Sequence, residues 1–296
     1  MLKLIEFENF KRFRRFSLSL RSGNILVGPN NSGKSSILDA MRVLDACLRY
    51  SKTSKPKLIG NEKGVFDGFE IPESYLPFDL ANITNNYNSE DAKLTFHHEN
   101  GSTAHIWLHP TRTVRFFIDS KGKRFSTSKK FRDSFPLEFI IVPPLSPLEA
   151  EEPLVVDATV QRNRATRLAA RSFRNIWYRQ PPEEFEKLKE RVERAWPNVT
   201  LHPPELLKSH PPRLEMFFQE NRMTREVQWA GFGFQVWLQI HTHLLRGSPH
   251  AILVLDEPDI YLHPDLQHRL YHDVKEIFPQ YFLATHATEI INEADS

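Results

Sequence analysis

"GPNNSGKSS" (residues 28–36) follows the short apolar run "NILV" and leads into "ILDAMRVLDACL". Flexible, polar residues thus sit between a strand and a helix. The first backbone amides of a helix have no partners within it, and the helix dipole adds partial positive charge at that end. A loop of small residues lets an anion come close to those amides. Residues 28–35 read G-x-x-x-x-G-K-S, the phosphate-loop pattern. In that reading Gly33 permits the tight approach, Lys34 reaches the β- and γ-phosphates, and Ser35 offers its hydroxyl to Mg2+. Residues 25–27 make a strand, and Ile37, Met41, Leu44 and Leu48 recur at helical spacing. The competing reading, a Gly/Asn turn before an ordinary helix, does not ask for the lysine and serine that follow.

Hydrolysis needs two more groups, a carboxylate near Mg2+ and one that positions water. "AILVLDEPD" (251–259) supplies candidates. Its four apolar residues, 252–255, suit a strand buried on both faces. Asp256 stands at the carboxyl end, where ligands collect in open α/β sheets, and is assigned to the Mg2+ shell. Neighbouring side chains on a strand point opposite ways, so Glu257 must lie where the strand is ending. There it can take a proton from water or orient it. The alternative is a solvated acidic turn. "LATHATE" (283–289) repeats the design, with His286 at a strand end as a γ-phosphate contact; an isolated histidine more often caps a helix. In "QWAGFGFQVWLQI" (228–240), Gly231 and Gly233 precede a helix and offer amides to an anion a second time. Either this loop completes the nucleotide site of another subunit, or a hairpin-to-helix turn simply needs glycine.

Taken together, these residues resemble the ABC-type ATPase heads of the RecF/SMC group, and most closely the OLD-family ATPases of bacteria. "NFKRF" stands near the start, "GPNNSGKSS" as Walker A, "AGFGFQ" at the signature loop, "ILVLDEPD" as Walker B, "IYLHP" as the D-loop and "ATHATEI" as the His switch. The resemblance implies ATP and Mg2+ as ligands. It makes Asn30, Asn31, Ser32, Gly33, Lys34, Ser35 and Ser36 nucleotide-binding. It makes Glu257 the catalytic base, His286 the γ-phosphate sensor, and Gly231 and Gly233 trans-acting, with two heads sandwiching two ATP molecules. Lys11 or Arg12 then flanks the adenine, though a basic turn needs no such task. The departures are Ala230 where the wider superfamily has serine, no glutamine after "FIIVPP", and an end at Ser296 soon after the switch histidine. Family heads usually add strands there, and OLD proteins a Toprim nuclease. A shortened chain or a separate effector protein is expected.

The fold class that follows is α/β: a P-loop ATPase head with a mainly parallel core sheet, an added antiparallel β layer and a helical subdomain. Residues 1–50 and 228–296 are expected as the nucleotide-binding core of one discontinuous domain, 51–158 as insertion and β layer, and 159–227 as a helical arm. Within these, 51–92 read as irregular, 159–196 as helical and "HPPELLKSHPP" (202–212) as a connector. The 296 residues allow a real core. A net charge of +2 is too small to prove a nucleic-acid partner. The single cysteine, Cys47, excludes an internal disulfide framework. No segment approaches 18 apolar residues and the start lacks a signal-peptide shape, so the reading is cytosolic. Residues 158–180 hold six arginines and no acid. Arg164, Arg167, Arg171 and Arg174 would make one stripe for phosphate backbones, or else a solvated face or partners for acids. "KGKR" and "KKFR" within 121–132 form a second basic cluster. DNA is therefore a candidate partner beside a second copy and an effector. The functional expectation is an ATP-driven dimeric switch gating DNA binding or a nuclease, in phage defence or DNA repair. The alternative is a non-hydrolysing scaffold. A transporter ATPase is disfavoured by the OLD-like D-loop and the lack of membrane segments.

Overall fold

A computed structural model describes residues 1–61, 64–87, 90–110, 114–163, 168–248 and 250–295. Along the chain run β1 (Leu2–Phe10), β2 (Phe13–Ser19), β3 (Gly23–Leu26), α1 (Lys34–Thr53), β4 (Lys57–Asn61), β5 (Gly64–Ile71), β6 (Ala92–His98), β7 (Thr103–Leu108), β8 (Val114–Asp119), α2 (Ser128–Ser134), β9 (Phe139–Val142) and β10 (Glu152–Pro153). Then come α3 (Asp157–Asn163), α4 (Phe173–Tyr178), α5 (Pro182–Ala195), β11 (Val199–Leu201), β12 (Glu205–Leu207), β13 (Arg213–Glu215), β14 (Phe217–Glu220), β15 (Met223–Glu226), α6 (Phe232–Arg246), β16 (Ile252–Asp256), α7 (Pro264–Ile277), β17 (Gln280–Ala284) and α8 (Thr288–Asp295). The fold is α/β, as expected. A four-stranded sheet in the order β3-β17-β16-β9 contains the parallel β3–β17 pair, and the antiparallel layer is larger, with seven strands ordered β2-β1-β6-β7-β8-β5-β4. Two three-stranded sheets, β10-β13-β12 and β11-β14-β15, complete it.

The chain divides into two compact units, one of Met1–Phe139, Pro249–Val254 and Lys275–Ala284, the other of Ile140–Ser248, Leu255–Val274 and Thr285–Ser296. In the first unit, β6 alternates buried and half-buried residues, the period-2 pattern of a strand. α1 buries eleven residues, including Ile37, Met41, Leu44, Cys47 and Leu48, at helical spacing. α2 starts at Thr127, whose hydroxyl accepts from the Lys130 amide at 3.3 Å. That helix brings Phe131 edge-on to Phe69 and Phe116, with centroids 4.9 and 5.5 Å apart. Part of the stretch expected as irregular is the hairpin β4–β5, which pairs with β8 at the edge of the large sheet. The lysines, asparagines, serines, prolines and glycines of the surrounding stretch hid it, and Leu58 and Val65 are exposed there.

In the second unit, the stretch 159–196 expected as helical carries α3, α4 and α5. α5 keeps the predicted apolar face of Phe185, Leu188 and Val192. The proline-bounded connector contains a strand, β12, paired with β13. The hairpin β14–β15 turns at Asn221 and Arg222, both in left-handed backbone. Among the described residues, no helix is long and apolar enough to cross a membrane.

α6 carries His241 into the core. The residue is 0% exposed, stacks on Trp237 with centroids 3.6 Å apart, and neither ring nitrogen has a hydrogen bond. The Asp273 carboxylate stands 3.7 Å away and is itself paired with Arg191 at 2.9 Å. Burial holds the imidazole pKa well below its ordinary value, and the Arg191 charge acts the same way. The folded chain thus keeps His241 neutral where the unfolded chain starts to bind a proton, near about pH 6.5. This contribution to stability is whole above that pH. It declines below it by about 1.4 kcal/mol per pH unit until the folded group titrates. Urea midpoints of a His241→Phe variant should show a flatter pH dependence below about pH 6.5 than those of the parent. An unchanged slope would remove His241 as its source.

Candidate functional site

The predicted site residues fall in both units. In the first, β3 runs into a loop with three left-handed positions: Gly28 at φ 150°, Asn31 at 66° and Gly33 at 106°. Glycine is required at 33 for a second reason. A Cβ there would stand 2.6 Å from Cζ of Phe13 in β2. Phe13 stacks on Phe16 at 4.5 Å and lies 5.0 Å from Phe7, so an aromatic cluster backs the loop. α1 starts after Gly33 with no side-chain cap and no acid in its first turn. The Lys34 ammonium donates to the carbonyls of Gly28 and Pro29, which keeps it over the loop. Asn30, Asn31, Ser32 and Ser35 are exposed, while Ser36 is buried as the first residue of the helix's core face. A concave loop of left-handed residues, an uncapped helix start and an ammonium fit a polyphosphate.

The "NFKRF" turn lies in the same unit. Lys11 has φ 45°, and its amide donates to the Ile83 carbonyl at 2.7 Å. Its ammonium binds Asp39 at 2.5 Å and sits 4.0 Å above the Phe78 ring. Asp39 also takes Arg42 at 2.7 Å. The Lys11 charge is therefore engaged, whereas Arg12 is exposed.

In the second unit, Asp256 is the last residue of β16 and is half-buried. Glu257 follows at φ 51° and Tyr261 at 71°. Left-handed backbone at residues with a Cβ costs on the order of 1–3 kcal/mol and persists where surrounding contacts enforce it. Here the Ile260 and Leu262 amides close turns onto the Glu257 and Asp259 carbonyls. Asp259 accepts from the Thr285 hydroxyl at 2.5 Å, and that hydroxyl accepts from the Ala287 amide at 2.9 Å. The segments that follow β16 and β17 are thereby tied together, with His286 exposed beside the tie. Sequence reasoning missed Asp259 and Thr285. Their only signal was a carboxylate and a hydroxyl just past two strand ends.

The second glycine loop ends in α6, capped by Gly231 without a side-chain hydrogen bond. The two glycines differ. A Cβ on Gly233 would meet the Tyr261 carbonyl at 2.7 Å, whereas one on Gly231 would meet nothing within 4 Å. Contact within the chain explains Gly233 but not Gly231. Around them Trp229, Phe232 and Tyr261 are 78%, 55% and 52% exposed.

The arginine stripe does not form as drawn. Arg164 and Arg167 lie outside the described residues. Arg171 binds Glu149 at 3.1 Å, and Arg174 is fully buried between Glu152 and Glu226. These two arginines serve the chain's own carboxylates, one of the alternatives open in the sequence.

The two glycines can be separated by experiment. Gly233→Ala should lower stability by about 1–3 kcal/mol, because the loop at Tyr261 must move. Gly231→Ala should melt with the parent chain. Equal melting temperatures for both variants would refute the close approach to Tyr261.

Residues 24–292 match the family described as "AAA domain, putative AbiEii toxin, Type IV TA system", and residues 1–46 match a P-loop containing region of AAA domain. Over 61 residues the chain is 44% identical to the chromosome partition protein Smc of Methanocaldococcus jannaschii, a stretch of 20% of this chain and 5% of that protein. It is similar in structure to an Smc head bound to the C-winged helix domain of ScpA, with TM-score 0.57, 14% identity and coverage of 98% of this chain and 91% of the other. It is also similar to the recombination mediator RecF in a RecF-ATPrS structure, with TM-score 0.51, 14% identity and coverage of 98% and 93%. The family match spans nearly the whole sequence: the chain belongs to this AAA-domain family of P-loop ATPases and has the fold of the ATPase heads of the SMC and RecF group.

Proposed function

We propose that this chain is a Mg2+-dependent ATPase whose heads dimerise on ATP and separate on hydrolysis, and that this cycle gates DNA binding or an effector nuclease in phage defence or DNA repair. The observation that carries the reading is Glu257, an acid in left-handed backbone directly after the strand-terminal Asp256. An acid there stands at the carboxyl end of a strand of the α/β sheet, where ligands collect.

In this reading Asn30, Asn31, Ser32, Gly33 and Ser36 line the phosphate loop, and Lys34 neutralises phosphate charge. Lys11 keeps the turn in place through Asp39, and Arg12 flanks the adenine. Ser35 and Asp256 serve Mg2+. Among the described residues, no group of three or more His, Cys, Asp or Glu could hold a metal alone. Mg2+ suits such a place, since it uses one or two protein ligands together with substrate phosphates. When bound it offsets phosphate charge. Glu257 then accepts the proton of the attacking water and His286 senses the γ-phosphate.

The uncapped start of α6, the open Gly231 and the exposed Trp229, Phe232 and Tyr261 support a second head covering this surface. An Smc head of similar fold is bound to a domain of ScpA, which supports a separate protein as effector. For DNA, exposed Lys121, Lys123, Lys129 and Lys130 support the 121–132 cluster, where Arg124 is engaged by Asp67 at 2.8 Å. The kinship with OLD ATPases and a cytosolic location complete the proposal. A non-hydrolysing scaffold is the second reading, favoured by the absence of glutamine from residues 143–150.

Lys34→Ala should abolish ATP binding. Glu257→Gln should keep binding, lower steady-state turnover by about 10²- to 10⁴-fold, and accumulate an ATP-dependent dimer in light scattering. Wild-type turnover in Glu257→Gln would reject the base assignment. An ATP-dependent dimer without turnover in the parent chain, with or without DNA, would favour the scaffold.

A further inference from the structure

We infer that Gln235, braced by Glu226 and Arg174, is a positioning residue that holds the second glycine loop and the segment after β9 as one piece. The inference rests on the reading that the 228–233 loop completes a partner's nucleotide site. Gln235 is fully buried on the first turn of α6. Its Nε2 donates to the carbonyls of Gln228 and Ala230, both at 2.8 Å. Its Oε1 accepts from the Leu148 amide at 2.7 Å. One side chain thus joins the irregular segment after β9 to the 3-10 turn Val227–Trp229 and the residues that follow it. Gln239, one turn later, donates to the Ser146 carbonyl at 2.8 Å and adds a second hold on the segment after β9. That segment has no glutamine of its own, and the buried amides come to it from α6.

The other end of the loop is fixed by charge. The Glu226 Oε2 accepts from the Gln228 amide at 2.7 Å, and its Oε1 accepts from Arg174 Nε at 2.8 Å. Arg174 is 0% exposed, and its own amide donates to Glu152 Oε2 at 2.9 Å. Its Nη1 donates to the Glu149 carbonyl at 3.2 Å. Glu149 is the neighbour of the segment that Gln235 holds, so the brace closes a circuit through both segments. A buried polar group is costly to leave unsatisfied, so a connected set like this selects one arrangement of the backbone it touches. The loop cannot shift without breaking bonds that water does not replace.

Gln235→Glu isolates the effect. A carboxylate still accepts from Leu148 but cannot donate to the Gln228 and Ala230 carbonyls. The measurements are binding of a fluorescent ATP analogue, steady-state ATPase against protein concentration, and amide hydrogen exchange of residues 146–148 and 228–231, all on the full chain. The expected result is unchanged nucleotide affinity, turnover lowered by about tenfold to a hundredfold, and faster exchange in both segments. Glu226→Gln, which loses the negative charge facing Arg174 and leaves one acceptor oxygen where Arg174 and the Gln228 amide now use two, should show faster exchange at 228–231 alone. It decides the matter if Gln235→Glu does not fold. Parental exchange in a folded Gln235→Glu overturns the brace. Faster exchange with parental turnover overturns the positioning role. A parent chain that neither hydrolyses ATP nor dimerises on it would end the proposed function instead, while the exchange data still judge the brace.

Discussion

At the start of α1, the first amides have no side-chain cap and no acid nearby, and a lysine is the first residue of the helix. Such a place attracts an anion only if the loop that carries it stays in shape, and the left-handed turns at Asn31 and Gly33 must be enforced by what surrounds them. The Ser32 amide closes one turn onto the Pro29 carbonyl at 3.2 Å. Packing keeps the shape. The eleven buried residues of α1 fix the helix, and a fully buried leucine or isoleucine is worth about 1.5–3 kcal/mol. Phe13 presses against Gly33 from the other side, where a Cβ would not fit. The phosphate loop is thus a polar surface supported by an apolar foundation.

The second unit solves a similar problem differently. Strain at Glu257 and Tyr261 is enforced by polar ties, the Thr285–Asp259 hydrogen bond and the turns at Ile260 and Leu262. Gly233 adds a steric constraint by admitting the Tyr261 carbonyl. The loop before α6 and the loop after β16 are therefore not independent. Phe232 and Tyr261 meet edge to face at 5.6 Å on the exposed side of that contact. A change in one loop has a direct route to the other, and the link is packing, not a long chain of side chains.

The legible parts of the sequence were those where chemistry and local backbone coincide. The phosphate loop was readable because lysine and serine follow glycine at a fixed offset. β16 and β17 were readable because their apolar runs end in polar residues, and α6 and α7 because their periodicity is long. The hairpin β4–β5 was not, since an edge strand needs no strong alternation and Gly60, Gly64 and Gly68 interrupt its apolar residues. Arg174 was misleading for a physical reason. An arginine's role depends on which carboxylates reach it in space, and Glu152 and Glu226 lie 22 and 52 positions away in sequence. Gln235 gave no signal either, because a buried glutamine and a solvated one look alike in a helix. The open face of Gly231 against the filled face of Gly233 is likewise invisible in "AGFGF".

Ala230 sharpens what the second loop can offer an anion. It brings no hydroxyl, its carbonyl is taken by Gln235, and its amide donates to the Val227 carbonyl at 3.1 Å. Nothing on that residue is left to hold a ligand. The α6 ladder begins with the Gln235 amide donating to the Gly231 carbonyl at 3.3 Å, so the amides ahead of Gln235 are the ones a helix leaves without partners. Any anion met by this loop must therefore be met by backbone amides and the helix dipole rather than by a side chain. Amides contribute only when the backbone is held at the right place, whereas a serine hydroxyl can rotate to follow its target. Losing the hydroxyl thus raises the demand on the buried brace beneath the loop. A chain with alanine at 230 has more need of Gln235 and Arg174 than one with serine there.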